Sequence, residues 1–362
     1  MTFSINTLGV MSGTSGDGLD IACCQFEQSN GIWTFTLEAA STVAYSEEWR
    51  KRLLDAFQAK GDELADLHSS FGRFIGNEVR KFIDEFGVDP EAICSHGHTI
   101  FHQPAKGFTF QAGCGANIAA ITGIDSVCDF RTSDIANGGQ GAPLVPVGDK
   151  LLFAGHKFCL NLGGFSNISF DNGNSRIAFD IGPANIALNY LAQKSGKPFD
   201  ENGDIAASGR MIPGLFDQLN RLEYYASMKP KSLGREWFET VFKPLLNNPS
   251  YENNDLLYTV THHIAHQIAA AVPVSPGTTM LITGGGAFNS YLMDCLAESL
   301  IPTGVHPVIP DDGIVAYKEA IIFAFLGALR VLRIPNALSS ATGATTDSTG
   351  GAVYAGRRRT AE

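Results

Sequence analysis

Residues 11–20, Met-Ser-Gly-Thr-Ser-Gly-Asp-Gly-Leu-Asp, hold the first group of residues in the chain able to do chemistry. Gly13, Gly16 and Gly18 alternate with Ser12, Thr14 and Ser15, which leaves so little side-chain bulk that backbone N–H groups can approach a ligand closely. Apolar runs at 8–11 and 21–24 make the stretch a turn between two strands. Phosphate oxygens suit such a turn. Asp17 and Asp20 fit an anionic ligand only with a divalent cation between, held directly or through water; Asp17 is the residue assigned to Mg²⁺. A tight hairpin of ordinary turn formers has the same composition. The turn is no Walker loop, because Leu19 rather than lysine follows Gly18.

Further candidates lie downstream. Asp180 closes a β-branched and aromatic run and is followed by Gly182-Pro183, which predicts a strand end leading at once into a helix. A carboxylate there stands where open α/β sheets collect ligands, or it caps the helix. Gly284, Gly285 and Gly286 follow the strand-like residues 280–283 and precede a helix starting near Asn289. Arg131 lies in the glycine-dense segment 129–146, which also holds Gln140; loops of that length in a compact domain are usually functional. Its guanidinium grips a substrate carboxylate or orders the loop through Asp129 or Asp134. Glu319 begins a helix, where it reaches a site from the far lobe or favours the helix dipole. Cys94, His96 and His98 alternate, and in an extended chain would share one face. Zinc wants a further ligand or an open water, so the run reads rather as a ligand-contacting loop. His262 and His266 share a helical face but lack the glutamate of H-E-x-x-H.

The elements that must position these residues follow from periodicity. Residues 32–37 alternate and give a third strand after the hairpin. Ser46 opens a helix with an acidic first turn, and residues 64–86 carry apolar side chains at helical spacing up to Gly87. Residues 92–96 form the next strand, and a further strand and glycine loop lie around 108–115. From Lys157 the pattern of strand, glycine turn, strand, turn, strand repeats that of residues 8–37, which suggests a structural duplication. Helices are predicted over 185–194, 255–272, 290–299 and 317–333, and residues 339–351, rich in Ser, Thr, Gly and Ala, are expected to be poorly ordered in part.

A glycine-rich phosphate hairpin without lysine points to nucleotide folds of the actin, Hsp70 and sugar-kinase kind. Residues 11–20 resemble the N-terminal signature of the anhydro-N-acetylmuramic acid kinases. The segments 95–100, 129–131, 138–146, 161–164, 180–183, 284–289 and 318–320 resemble further segments of that family, in the family's order and over nearly the whole chain. The resemblance implies an α/β, two-lobed actin-like (ribonuclease-H-like, duplicated) sugar kinase that uses ATP and Mg²⁺. Its two lobes are expected at 1–153 and 154–362. It implies that Asp180 is the catalytic base, activating the water that opens a 1,6-anhydro ring while O6 takes the γ-phosphoryl group. It further implies that Gly13, Thr14, Ser15, Gly16, Asp17, Gly18, Leu19 and Asp20 with Gly284, Gly285, Gly286 and Asn289 bind the nucleotide. Arg131, Gln140, His96 and Glu319 would contact the sugar, Arg131 through its lactyl carboxylate. Gly16, His98, Ile181 and Ala184 depart from the family pattern. The rival readings are a kinase of another amino sugar on the same fold, and a non-catalytic actin-like ATP-binding switch.

Composition sets outer bounds. A chain of 362 residues favours two domains, and 44% hydrophobic with 17% charged residues is ordinary for a soluble globule. A net charge of −11 argues against nucleic-acid or membrane-surface partners. Seven cysteines without a C-x-x-C pair, and no apolar leader at the first residues, predict a reducing cytoplasm. The apolar run 320–329 is half of what a bilayer needs and reads as a buried helix. The family likeness implies a homodimer.

Overall fold

The computed structural model describes residues 3–13, 16, 18–173, 175–226 and 231–357. Twelve strands occur among them: β1 (Phe3–Ser12), β2 (Gly18–Ser29), β3 (Ile32–Ala44), β4 (Ala92–Gln103), β5 (Phe108–Ala112), β6 (Asp125–Cys128), β7 (Phe158–Leu162), β8 (Phe165–Asn172), β9 (Ser175–Pro183), β10 (Thr278–Thr283), β11 (Val305–Val308) and β12 (Ala352–Tyr354). The chain divides into two compact units, Met1–Leu152 with Tyr317–Glu362, and Phe153–Ala316.

In the first unit the sheet order is β12-β6-β4-β1-β2-β3, with β5 paired to β4. β1, β2 and β3 form an antiparallel meander, and β4 and then β6 continue in parallel from β1. In the second unit the order is β11-β10-β7-β8-β9, again a meander of β7, β8 and β9 with β10 and β11 parallel to β7. Counted within each unit, both sheets share the order third-second-first-fourth strand, continued in parallel by β6 in the first unit and by β11 in the second. The repeat expected from the glycine-turn pattern is therefore a repeat of topology, the duplicated ribonuclease-H-like arrangement of actin-like sugar kinases.

Alternation along β1 explains the layers of the first unit. Leu8 and Val10 point to one face, where Leu67, Phe71, Ile75, Val79 and Phe82 of the helix Gly61–Phe86 pack at helical spacing. Gly87, in the left-handed region, ends that helix with its N–H on the Ile83 carbonyl. Thr7 points to the opposite face, and its hydroxyl donates 2.9 Å to the carbonyl of Ala324 in the helix Asp312–Val331. Residues 320–326 of that helix are all buried, so it is covered all round. Two apolar sheet faces need two covers, and this helix supplies the second. The expected division at 153/154 is corrected accordingly: residues from Tyr317 onward belong to the first unit, and Glu319 shares a unit with Arg131 instead of approaching from another lobe.

The segment after this helix is also more ordered than its composition suggests. The Asn336 amide donates to the carbonyls of Leu326 and Gly350 and accepts from the Gly350 N–H, Ala337 pairs with Ser348, and β12 pairs antiparallel with β6. Small polar residues here close a hydrogen-bonded loop. In the second unit, Phe158, Leu160 and Leu162 of β7 meet Ile168, Phe170 and Phe179 and the helices Asn185–Lys194, Asn253–Ala271 and Ser290–Leu300. His262 and His266 serve that packing: His262 Nε2 lies 3.2 Å from the Tyr291 hydroxyl, and the His266 ring meets Phe216 edge-on. All seven cysteines are free thiols, and no helix among the described residues is long and apolar enough to cross a membrane.

Candidate active site

The β1–β2 register pairs Met11 with Asp20 and Ser12 with Leu19, so the described Gly13 and Gly16 stand at the connection of the two strands. Within it the Gly16 N–H donates 3.2 Å to the Gly13 carbonyl. Thr14, Ser15 and Asp17, the last being the expected metal residue, lie outside the described residues. Leu19 is fully buried in the core, so only its backbone can serve a ligand. Asp20 is half-buried, and its Oδ1 accepts 2.6 Å from Thr42 Oγ1 on β3. At the base of the turn the Tyr45 hydroxyl donates 2.7 Å to Ser12 Oγ, which lies 2.8 Å from His98 Nδ1. Tyr45 as donor leaves the Ser12 proton for Nδ1, and burial, which lowers His98 to about 4, keeps this ring neutral.

His98 thus parts company with His96. The strand β4 is irregular here, with Val10 opposite Ser95 but Ser12 opposite His98. His96 turns instead to Arg131. Its Nδ1–H donates 2.8 Å to the Gly97 carbonyl, and its Nε2 accepts from Arg131 Nε at 3.0 Å and Nη2 at 2.8 Å. Burial, with the adjacent guanidinium, lowers His96 to about 3, so it is a neutral acceptor with both nitrogens committed. The His96 ring thereby supports Arg131. Nor does Arg131 pair with Asp129 or Asp134; its Nη1 donates 2.7 Å to the Gly141 carbonyl. Three of its five N–H groups are used. Burial lowers Arg131 to about 10, while the Glu319 carboxylate acts the other way, so the guanidinium stays charged at neutral pH. Glu319 itself is raised by burial and by Asp20, against the pull of Lys318 and Arg131. Gln140 has an exposed side chain, and its N–H donates 2.8 Å to the Thr342 carbonyl.

Asp180 lies in β9, the edge strand of the second sheet, opposite Asn167 and beside a register shift. The strand continues to Pro183 and the helix begins at Asn185 with Ala184 in the capping position, so Pro183 does not open the helix and Asp180 does not cap it. Its surroundings come from a segment the sequence did not single out. Asp180 N–H donates to the Lys231 carbonyl at 2.9 Å, its carbonyl accepts from the Tyr224 hydroxyl at 2.7 Å, and its Oδ2 accepts from the Leu233 N–H at 2.8 Å. Among the described residues the carboxylate is held through one oxygen, and burial raises it above its ordinary range against that hydrogen bond. Tyr225 packs behind. Its hydroxyl lies 2.9 Å from His263 Nε2, whose Nδ1 lies 2.6 Å from Asn220 Oδ1. A Cβ on Gly182 would stand 2.9 Å from that hydroxyl, so the close approach requires glycine. Adjacent tyrosines and a buried histidine carry no periodic signal that would have revealed this group.

The glycine loop lies in the same unit. Gly284 has φ 85°, and a Cβ there would stand 2.6 Å from Asn161 Oδ1 and 2.9 Å from the Leu162 carbonyl, so only glycine lets the loop settle on the end of β7. Asn185 Nδ2 donates 3.0 Å to that same carbonyl, and the Asn185 N–H donates to Gly163 in the turn after β7. Asn289 Oδ1 accepts 2.9 Å from the Leu292 N–H, so it caps the helix Ser290–Leu300 as expected and has its oxygen committed there.

The first unit therefore offers a glycine turn with a flanking carboxylate and a braced arginine, and the second offers a glycine floor and a carboxylate held by one oxygen. Comparisons with known proteins name one family. A family model described as Anhydro-N-acetylmuramic acid kinase matches residues 5–356. A protein of that name from Pseudomonas putida is 39% identical over 340 residues, 88% of this chain and 91% of its own. Namesakes from Pseudomonas fluorescens and Legionella pneumophila are 36% and 34% identical, each over 96% of this chain, covering 98% and 97% of their own lengths.

Proposed function

The chain belongs to the anhydro-N-acetylmuramic acid kinase family, and from that premise we propose that it opens the 1,6-anhydro ring of anhydro-N-acetylmuramic acid with water and phosphorylates the released O6 from ATP. The product is N-acetylmuramate 6-phosphate, an intermediate of cell-wall recycling, made in the cytoplasm by a homodimer. The observation that carries the reading is Asp180: one oxygen fixed by the Leu233 N–H, and a carboxyl raised by burial, as a general base requires.

Asp180 takes a proton from the water that attacks the anomeric carbon; the bond from that carbon to the bridging oxygen breaks, and the oxygen stays on C6 as the phosphoryl acceptor. Phosphorylation neutralises that oxygen, so a second carboxyl acting as general acid is unnecessary, in contrast to ordinary glycosidases. ATP would supply the γ-phosphoryl group, and Mg²⁺, when bound, would offset its charge. Residues of the 13–18 turn would hold the phosphates through backbone N–H groups, and Gly284, Gly285, Gly286 and Asn289 would receive the adenosine. The residues fit a hard cation: Mg²⁺ takes one or two carboxylates besides phosphate and water, and Asp20 lies near enough to Glu319 to raise it, so negative charge is concentrated beside the turn. Asp17 joins Asp20 as a candidate ligand. Arg131 keeps two N–H groups for the lactyl carboxylate, a paired contact lysine cannot reproduce.

The test is to incubate the protein with Mg-ATP and the anhydro sugar, follow ADP, and weigh the product. One ADP per sugar, with a product heavier by one water and one phosphoryl group, is the expected result. ADP released only with a different amino sugar would overturn the substrate, and ADP release indifferent to sugar would overturn the kinase reading.

A further inference from the structure

The loop that carries Arg131 is tied to a segment more than two hundred residues downstream. Asp134, fully buried, accepts from the Gly141 N–H at 2.7 Å through Oδ2 and from the Thr342 hydroxyl at 2.7 Å through Oδ1. The Gln140 N–H donates 2.8 Å to the Thr342 carbonyl, and the Thr345 N–H donates 3.2 Å to the Asn137 carbonyl. Gly141 is the residue whose carbonyl receives Arg131 Nη1. A continuous chain of hydrogen bonds therefore runs from Thr342 through Asp134 and Gly141 to the guanidinium, opposite the one that runs through His96 to Gly97. Thr342 and Asp134 stand 208 residues apart in sequence, and both are buried. The segment that brings Thr342 there is in turn fixed by Asn336 and by the Ala337–Ser348 bridge.

We propose that the C-terminal segment 336–350 is a positioning part of the sugar site, with Thr342 and Asp134 setting the Gly141 carbonyl that aims Arg131 at the carboxylate of the sugar. This rests on the reading of Arg131 given above. A guanidinium gains from paired contacts only when its plane is fixed, and two acceptors on different sides, the His96 ring and the Gly141 carbonyl, fix it. Thr342 is a positioning residue: it touches no substrate, and its effect passes through three hydrogen bonds. The Thr342 hydroxyl has one proton and two acceptors in range, Asp134 at 2.7 Å and the Leu338 carbonyl at 3.2 Å, and the shorter, charge-assisted bond takes it.

The experiment uses the full chain with Thr342→Val, which keeps the shape and removes the donor, and Thr342→Ser, which restores it. Thr342→Val should raise the sugar KM about ten-fold, the loss expected for one charge-assisted hydrogen bond. It should leave kcat and the ATP KM within about two-fold, because the arginine grips ground state and transition state alike. Thr342→Ser should return the sugar KM to its starting value. Inhibition by the same anhydro sugar lacking the lactyl group should be unchanged by Thr342→Val, since that molecule offers no carboxylate to Arg131. Combined with Arg131→Ala, Thr342→Val should add nothing to the sugar KM. Equal weakening of both sugars would make the segment general scaffold and overturn the proposal, as would an unchanged sugar KM in Thr342→Val beside a raised one in Arg131→Ala. An unchanged sugar KM in Arg131→Ala itself would instead overturn the reading of the arginine. If Thr342→Val does not fold, Asp134→Asn, which removes one acceptor of the same chain, puts the same expectations to the test.

Discussion

Replacing Asp180 by asparagine separates the chemistry of this residue from its structural part. An amide oxygen at the Oδ2 position still accepts the Leu233 N–H at 2.8 Å, and the backbone bonds to Lys231 and Tyr224 do not involve the side chain. What disappears is the ability to take a proton. A positioned general base contributes about 10²- to 10⁴-fold, so kcat should fall by that factor, about 3–5 kcal/mol on the barrier, with both KM values little changed. The pH profile adds a second constraint. Burial raises Asp180 above the ordinary 3.8, and the base acts ionised, so kcat/KM of the parent protein falls as pH drops through the raised value. The residual rate of Asp180→Asn should lack that acid limb. Stability should move the other way. A carboxyl whose folded pKa is raised stabilises the fold fully below its unfolded value and loses that contribution as pH rises through the folded value. At neutral pH the ionised Asp180 is therefore a cost, made small by its partial exposure, and the asparagine variant should unfold at the same temperature or slightly higher. The measurement is ADP release from pH 4 to 9 for both proteins, with thermal unfolding alongside. Near-normal kcat in Asp180→Asn, or an acid limb that persists in it, would refute the assignment of the base.

Other perturbations reach the surroundings of the site. Gly182→Ala places a Cβ 2.9 Å from the Tyr225 hydroxyl and should cost about 1–3 kcal/mol with a fall in kcat, since the Tyr225–His263 contact must give way beside Asp180; unfolding in denaturant measures the first, and an unchanged midpoint would show that the ring moves freely. His96, His98 and His263 are lowered by burial to about 3, 4 and 3. Their neutral forms stabilise the fold above the ordinary 6.5, and that contribution is lost as pH falls below it, by about 1.4 kcal/mol per pH unit for each histidine. The thermal midpoint should fall between pH 6.5 and 5, and His263→Gln should flatten the slope; a midpoint constant over that range would contradict the burial of these rings.

Much of the fold was legible because local periodicity and sheet topology agreed. The glycine turn between β1 and β2, the cap at Ser46, the helix end at Gly87 and the repeated meander from Phe158 all follow from neighbours in sequence. Candidates for the site could be picked out where a residue type carries its chemistry with it, as with the glycines of 284–286 and the arginine of a glycine-dense loop. The partners of those residues were not. Alternation in β4 predicted one face for His96 and His98, but an irregularity at Gly97 sends one ring to Arg131 and the other to Ser12. Asp180 was visible, yet the Tyr224, Lys231 and Leu233 contacts that orient it come from a segment without periodic pattern. Residues 339–351 read as loosely ordered because small polar residues predict nothing until the groups they bond are known.

The return of the chain to the first unit has a consequence for biosynthesis. Phe153–Ala316 is continuous, so all of its elements are present once it has left the ribosome, whereas the first unit must wait for a helix and an edge strand made after it. Until residues 317–331 emerge, the Thr7 face of β1 lacks its cover, and until Thr342 arrives the arginine loop lacks its anchor. A nascent chain released early would present a finished second unit beside an open sheet. Sugar recognition is thus among the last properties the polypeptide acquires, and incomplete translation products should be targets for chaperones and proteases before they can compete for substrate.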